Sequence, residues 1–181
     1  MLSEAYKRWR HTRGYGVHSP FGYSIIKDVV SPCHIYGYYG YDDLDAAICS
    51  HGKERKRKFY RMILRLAAAC DIDSAYLIEN ADLQVIRRAL LGVNPRMEII
   101  TERCKINDAE FVISDGDTLE LDILRNHISA PERLLLVTNI PADWKDELFD
   151  SMREGLMLYG KKNALLISHS DMQKVSYSCA L

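Results

Sequence analysis

Residues Ser74 to Gly92 read SAYLIENADLQVIRRALLG. Ala75–Ile78 is a short apolar run of the kind that forms a buried strand. From Asp82 to Leu91 apolar residues recur at three-four spacing, which predicts a helix with Leu83, Ile86, Leu90 and Val93 on its inner face and Gly92 at its end. The turn between them, Glu79-Asn80-Ala81-Asp82, contains no glycine. In a nucleotide-binding α/β domain this turn presents backbone N–H groups to the ligand, and glycine is what permits close approach to the main chain. The stretch therefore predicts a fold while lacking the local chemistry usually found there.

Towards the C-terminus the alternation continues. Met97–Thr101 and Glu110–Ser114 read as the second and third strands, and Asp117-x-x-Glu120 has the form of a capping box opening a helix through Ile128. Arg133–Thr138 is the most apolar strand. Asp143–Tyr159 is expected as one long helix with Trp144, Leu148, Phe149, Met152 and Leu156 turned inward. Asn163–His169 and Lys174–Ala180 are expected as two strands joined by the turn Ser170–Gln173, pairing antiparallel. Strands alternating with helices imply a parallel sheet covered on both faces. One connection is too short. Glu102 to Asp108 spans about 25 Å at most, enough to cross a neighbouring strand but not to form a covering helix. The sheet is thus expected to be thinly covered there, with Met97–Thr101 an exposed edge that a second subunit could cover as a homodimer.

Towards the N-terminus, Lys53–Cys70 is the clearest helix. Phe59, Met62, Ile63, Leu66, Ala67 and Cys70 share one face, and Lys53, Arg55, Lys56, Arg57, Lys58, Arg61 and Arg65 are expected to be mostly solvated. Asp42–His51 reads as a short helix and Ile35–Tyr41, IYGYYGY, as an ordered loop packed on the domain. Ser19-Pro20 starts a helix soundly, serine as cap and proline at the first position, with Phe21, Ile25, Ile26, Val29 and Val30 as its stripe and Ser31-Pro32 as its end. Leu2–Arg13 is a short basic helix capped by Ser3, with Ala5, Tyr6 and Trp9 on one side.

With 181 residues and 48% apolar composition the chain suffices for a single globular unit with a proper core. Within it, residues 1–52 are expected as a helical and loop appendage and 53–181 as the α/β domain. No apolar run approaches the roughly 20 residues that span a bilayer, and Met1 opens a basic amphipathic stretch without a signal-peptide core, so a cytoplasmic protein is expected. Five scattered cysteines exclude a disulfide framework. Cys33-His34 and Cys49-Ser50-His51 match no common zinc module, so no metal site is expected. Residues 1–65 carry an excess of positive charge and the remainder an excess of negative charge. A basic front end suits nucleic acid, but it reads more simply as the wet face of helices, and stacking aromatics usually lie on a sheet face.

The run RGYGVHSPF (Arg13 to Phe21), followed by YYGYDDL and the Lys53–Cys70 helix, resembles the N-terminal region of a bacterial family of class I S-adenosylmethionine-dependent methyltransferases of O-methyltransferase type. The resemblance continues through FVISDG (Phe111 to Gly116), LLLVTNI with Trp144-Lys145, and the final strands. It implies a Rossmann-like methyltransferase sheet, mostly parallel with a C-terminal antiparallel hairpin, and AdoMet at the carboxyl ends of the first strands. Here that sheet is reduced by one strand-helix unit and preceded by N-terminal helices.

The departures bear on function. Where the family has a glycine-rich turn, this chain has Glu79 or Asn80, whose Cβ obstructs close approach of a ligand. The helix and strand that contribute to the adenine pocket are missing between Thr101 and Ala109. Glu102 matches the acidic residue that holds the ribose hydroxyls. Asp115 matches the family aspartate that binds a metal or orients the acceptor hydroxyl, but its usual acidic partner is Thr138-Asn139 here. His18 could serve as an acid or base, as imidazoles do near neutral pH, although a histidine before a helix cap more commonly fixes the turn. The leading expectation is a degenerate methyltransferase-like protein that acts as a non-catalytic binding or scaffold module. The alternatives are a divergent active O-methyltransferase acting on a small-molecule hydroxyl, and a nucleic-acid-binding module.

Overall fold

The structure, a computed structural model, describes residues 3–32, 40–78 and 82–181. The turn Glu79-Asn80-Ala81, the pair Cys33-His34 and the tyrosine-rich stretch before Gly40 lie outside them. Helix α1 (Glu4–Thr12) is capped by the Ser3 hydroxyl, which accepts the Tyr6 N–H at 3.3 Å. Helix α2 (Pro20–Ser24) is capped by Ser19, which accepts from Gly22 at 3.1 Å, and runs on into π-helical turns over Ile25–Val30. Then follow α3 (Tyr41–Ser50), a 3-10 turn at Glu54–Lys56, and α4 (Arg57–Ala69). The α/β alternation comprises β1 (Ser74–Leu77), α5 (Leu83–Leu91), β2 (Glu98–Ile100), a 3-10 segment at Arg103–Asp108, β3 (Phe111–Asp115), α6 (Leu121–Ser129) and β4 (Arg133–Thr138). It closes with α7 (Trp144–Ser151), β5 (Gly155–Tyr159), β6 (Ala164–Ser168) and β7 (Val175–Ser178).

The seven strands form one sheet in the order β2-β1-β3-β4-β6-β5-β7. All pairings are parallel except those of β6 with β4 and β5, so β6 alone runs against the rest. This is the mostly parallel Rossmann-like sheet with an antiparallel C-terminal hairpin expected from the sequence. Successive side chains of a strand face opposite sides. Leu134 and Leu136 accordingly enter one buried cluster with α3, α4 and α5, whereas Leu135 and Val137 enter another with α6 and Leu148 of α7. Ile25, Ile26, Val29, Leu44 and Ile48 belong to the first cluster, so the N-terminal helices cover that face of the sheet.

Several expectations are corrected. Asp143–Tyr159 is not one helix. It ends at Ser151, and Gly155 opens β5, because Leu156, Met157 and Leu158 alternate between the two clusters as only a strand can arrange them. The antiparallel hairpin is consequently β5–β6, and β7, expected to pair with β6, lies parallel to β5 on its outer side. The capping box does not form. Glu120 is the N-cap of α6 but makes no side-chain cap bond, and its carboxylate accepts from Arg103 at 2.9 Å. The short crossover is better covered than expected, since Ile106 is buried in the second cluster beside Ile100 and Tyr76. On α5, Val85 and Ala89 are buried with Ile86 and Leu90, while Leu83 and Val93 are only half-buried.

Arg65, expected in solvent, is 6% exposed. Its Nε donates to the Val29 carbonyl at 2.7 Å and its Nη1 to the Tyr41 hydroxyl at 2.8 Å, tying the π-helical turns and α3 to α4. Buried His127 lies beneath β4, with Nε2 3.0 Å from the Leu134 carbonyl and Nδ1 without a partner among the described residues. Burial pushes its pKa down to about 4, against the pull of that carbonyl. The imidazole is therefore neutral in the folded protein, while in the unfolded chain it titrates near 6.5. Stability from this group is complete above pH 6.5 and falls as pH drops towards 4, by about 3 kcal/mol in all. Urea unfolding at stepped pH checks this, and the decline between pH 6.5 and 5 flattens in His127→Gln.

Gly155 has φ 130°, and a Cβ there would lie 2.1 Å from the Ile167 carbonyl oxygen. Gly155→Ala is expected to cost at least about 2 kcal/mol. Gly160→Ala, whose new Cβ would meet nothing closer than 3.4 Å, serves as the mild comparison in the same unfolding titration.

Candidate functional site

Strands β1 and β3 are neighbours, but the chain leaves β1 for one side of the sheet and β3 for the other. In open α/β sheets a crevice forms at such a switch point, outside the carboxyl ends of the strands. A cavity of about 480 Å³ lies there. Ile113, Ser114 and Asp115 at the end of β3 and Thr138 and Asn139 at the end of β4 contribute to it. Asp82 and Ile86 at the start of α5 form a second side. Basic residues at the start of α4 (Arg55, Lys56, Lys58), with Phe59 and Met62, form a third.

Asp115 is the only sequence-predicted site residue in the described lining. Its Oδ2 accepts from Asn139 Nδ2 at 3.1 Å and lies 3.5 Å from Thr138 Oγ1, while Oδ1 accepts the Asp117 N–H at 3.4 Å. Asn139 adopts φ 51°, a left-handed conformation that asparagine tolerates better than most residues and that turns its amide back on β3. Gly116 lets the two loops meet: its N–H donates to the Thr138 carbonyl at 2.7 Å, and a Cβ would lie 2.6 Å from the Asn139 oxygen. An amide, and not a second carboxylate, thus caps the aspartate.

The other predicted residues are elsewhere. Glu102 is exposed at the start of the Arg103–Asp108 segment and pairs with Lys105 at 3.0 Å. His18 is exposed just before α2, its N–H donating to the Tyr177 hydroxyl at 3.3 Å, and it does not line the cavity. Glu79 and Asn80 lie outside the described residues. Cys49 accepts from Arg57 at 3.5 Å and His51 Nδ1 lies 2.8 Å from the Ala47 carbonyl. Among the described residues no group of three or more His, Cys, Asp or Glu side chains is placed to hold a metal ion.

Sequence reasoning misses Asp82. Although it precedes α5, it makes no side-chain cap bond to that helix. Its carboxylate instead meets Lys53 at 2.8 Å and Lys56 at 2.5 Å, across from α4. Burial raises its pKa, but the two ammonium groups and the Tyr60 hydroxyl nearby outweigh that and hold the carboxyl below its ordinary value. Its acidity is legible as a helix-start signal, whereas its lysine partners, 26 and more residues earlier, are not. Asp82→Asn should lower stability by about 1–2 kcal/mol in urea titration, since two lysines then face a neutral amide. The loss shrinks in high salt.

Among known proteins, the chain is an α/β protein of the open-sheet kind. It is similar in chain path to the crystal structure of a methyltransferase from Geobacter sulfurreducens, at 13% identity and a TM-score of 0.45, covering 75% of this chain and 93% of that one. No family model matches the sequence, and no curated protein matches it significantly.

Proposed function

We propose that this chain is a degenerate methyltransferase-like protein, a non-catalytic binding module that keeps the sheet and its cleft without methyl transfer. One observation carries it: both side-chain carboxylates in the described lining of the cavity are already engaged, Asp115 by the Asn139 amide and Asp82 by Lys53 and Lys56. A general base must reach the proton it removes, and a divalent cation needs several free oxygens. Neither requirement is met by carboxylates held in this way. The residues present also do not fit AdoMet. Glu102, which the resemblance would place on the ribose, is paired with Lys105 away from the cavity, and the lysine-clamped Asp82 stands at the start of α5, where a cofactor would meet open backbone.

Location in the cytoplasm fits this proposal, and among the described residues no helix is long and apolar enough to cross a membrane. Among the described residues β2 pairs only with β1, so its outer edge is available to a second copy, and a homodimer through Met97–Thr101 belongs to the same proposal. Light scattering that gives a monomer at every concentration would remove the dimer alone.

The second reading, an active enzyme moving a methyl group from AdoMet to a small-molecule hydroxyl, is favoured by Asp115 lining a cavity of ligand size. Melting with and without AdoMet or S-adenosylhomocysteine separates the two. Ligand at 100 times its Kd stabilises by about 2.7 kcal/mol, or about 5–10 °C for a chain of this size. The expected result is an unchanged melting point at millimolar ligand, whereas a shift of that order would show that AdoMet binds and, joined by methyl transfer to an added hydroxyl acceptor, would establish the active reading instead.

A further inference from the structure

The cavity does not end at its own wall. Asn139, Asn163, Ala180 and Leu181 also line a second hollow of about 430 Å³, which is bounded further by Arg8 of α1 and by Lys161 and Lys162 of the β5–β6 loop. The two hollows make one trough leading from the first turn of α4 to α1. Among the described residues six side-chain cations line it (Arg8, Arg55, Lys56, Lys58, Lys161, Lys162) against two side-chain carboxylates, Asp82 and Asp115. The chain as a whole carries 24 basic and 25 acidic residues, so the trough is a local concentration of positive charge.

That charge has little compensation from within the protein. Among the described residues Arg55, Lys58, Lys161 and Lys162 enter no ion pair, and neither does Arg8, whose Nε is buried with no hydrogen-bond partner. Burial, and then the nearby charge of Arg8, lowers the pKa of Lys145, whose ammonium group props the β5–β6 loop by donating to the Gly160 carbonyl at 2.9 Å. Helix α4 starts at the other end of the trough with no side-chain cap and no acidic residue in its own first turn.

On the solvent side of α1, turned away from the Arg8, His11 and Thr12 face that meets the hollow and β7, is a platform of flat groups that a bound strand reaches by passing over the helix. Tyr6 and Trp9 stack at 5.7 Å between centroids, the Arg13 guanidinium lies 4.5 Å from the Trp9 ring centre, and the two rings are 44% and 47% exposed. No residue of α1 is buried, so these rings do not serve the core. A chain of regularly spaced negative charges carrying planar rings matches both features. A bilayer surface would meet the rings but could not follow the cations into a trough, and an acidic peptide offers no series of rings to stack.

We propose that the trough binds single-stranded nucleic acid, with phosphates along its cations and bases stacked at Tyr6 and Trp9. This names the partner of the binding module proposed above and rests on that reading. Stacking on rings and contact with phosphates carry no base identity, so binding is expected to be sequence-tolerant.

Fluorescence anisotropy of a labelled 20-nucleotide oligothymidylate, titrated with the full chain, tests this. With about five phosphates neutralised, affinity should fall roughly 100-fold between 50 and 200 mM salt. Lys161→Glu with Lys162→Glu, both on an exposed loop, should weaken binding at least ten-fold and flatten the salt slope, whereas Trp9→Ala should weaken it about ten-fold and leave the slope unchanged. An unchanged anisotropy at 50 mM salt overturns the proposal. So does inorganic polyphosphate binding as tightly as the oligonucleotide with no effect of Trp9→Ala, or sedimentation with phosphatidylserine vesicles that the oligonucleotide does not compete. The titration contains no AdoMet, so the two ideas fail separately. An oligonucleotide that does not bind, with a melting point indifferent to AdoMet, removes only the partner, while an AdoMet shift accompanied by methyl transfer removes the non-catalytic reading whatever the oligonucleotide does.

Discussion

A strand, a crossing segment and a second parallel strand wind in a right-handed sense almost without exception, because a right-twisted strand packs its crossover back onto the sheet only that way. In this protein the chain moves from β1 to β2 in one direction across the sheet and from β3 to β4 in the other. With the hand fixed, α5 and α6 must lie on opposite faces, and their buried residues do enter different clusters. The short Arg103–Asp108 segment, which passes from β2 over β1 to β3, travels in the direction of α6, and Ile106 is buried on the α6 side. The two-layered core and the cleft between β1 and β3 both follow from this constraint.

The cleft is assembled from parts that are distant in sequence. Arg55, Lys56 and Lys58 come from before the first strand, Asp82 from the first crossover, Asp115 and Asn139 from the ends of β3 and β4, and Asn163 from the final hairpin. Such a pocket is electrostatically different from one built around helix N–H groups. Its polarity depends on which carboxylates are paired, and here lysines and an amide have taken them.

Strands and helices with a clean period are legible in the amino-acid sequence. β4 falls on the expected residues, and the Ser3 and Ser19 caps are formed as expected, because each rests on local hydrogen bonding or on alternation within a few residues. What misleads depends on partners far along the chain. Leu156 fits a helical stripe with Trp144, Leu148 and Met152 as long as nothing says that a sheet passes beside it, and only Gly155 hints at the break. Arg65 looks like one more solvated cation, since the acceptors that bury it, Val29 and Tyr41, are 36 and 24 residues away. In the site, Asp115 is found through its motif. The Asp82 clamp has no motif, since it joins the end of one connection to the start of a helix that precedes the sheet.

The seam between α1 and β7 sets an order on how the molecule is made. Thr12 Oγ1 accepts the Ala180 N–H at 2.9 Å, His11 packs edge-on against Tyr177, and β7 is the outermost strand. These contacts join residues about 168 positions apart. During vectorial synthesis the first helix therefore waits for nearly everything after it, and its aromatic rings spend that time in solvent or against whatever attends the nascent chain. Contacts of such sequence separation carry a large loop-closure cost, and the pairings in the middle of the sheet do not depend on this seam.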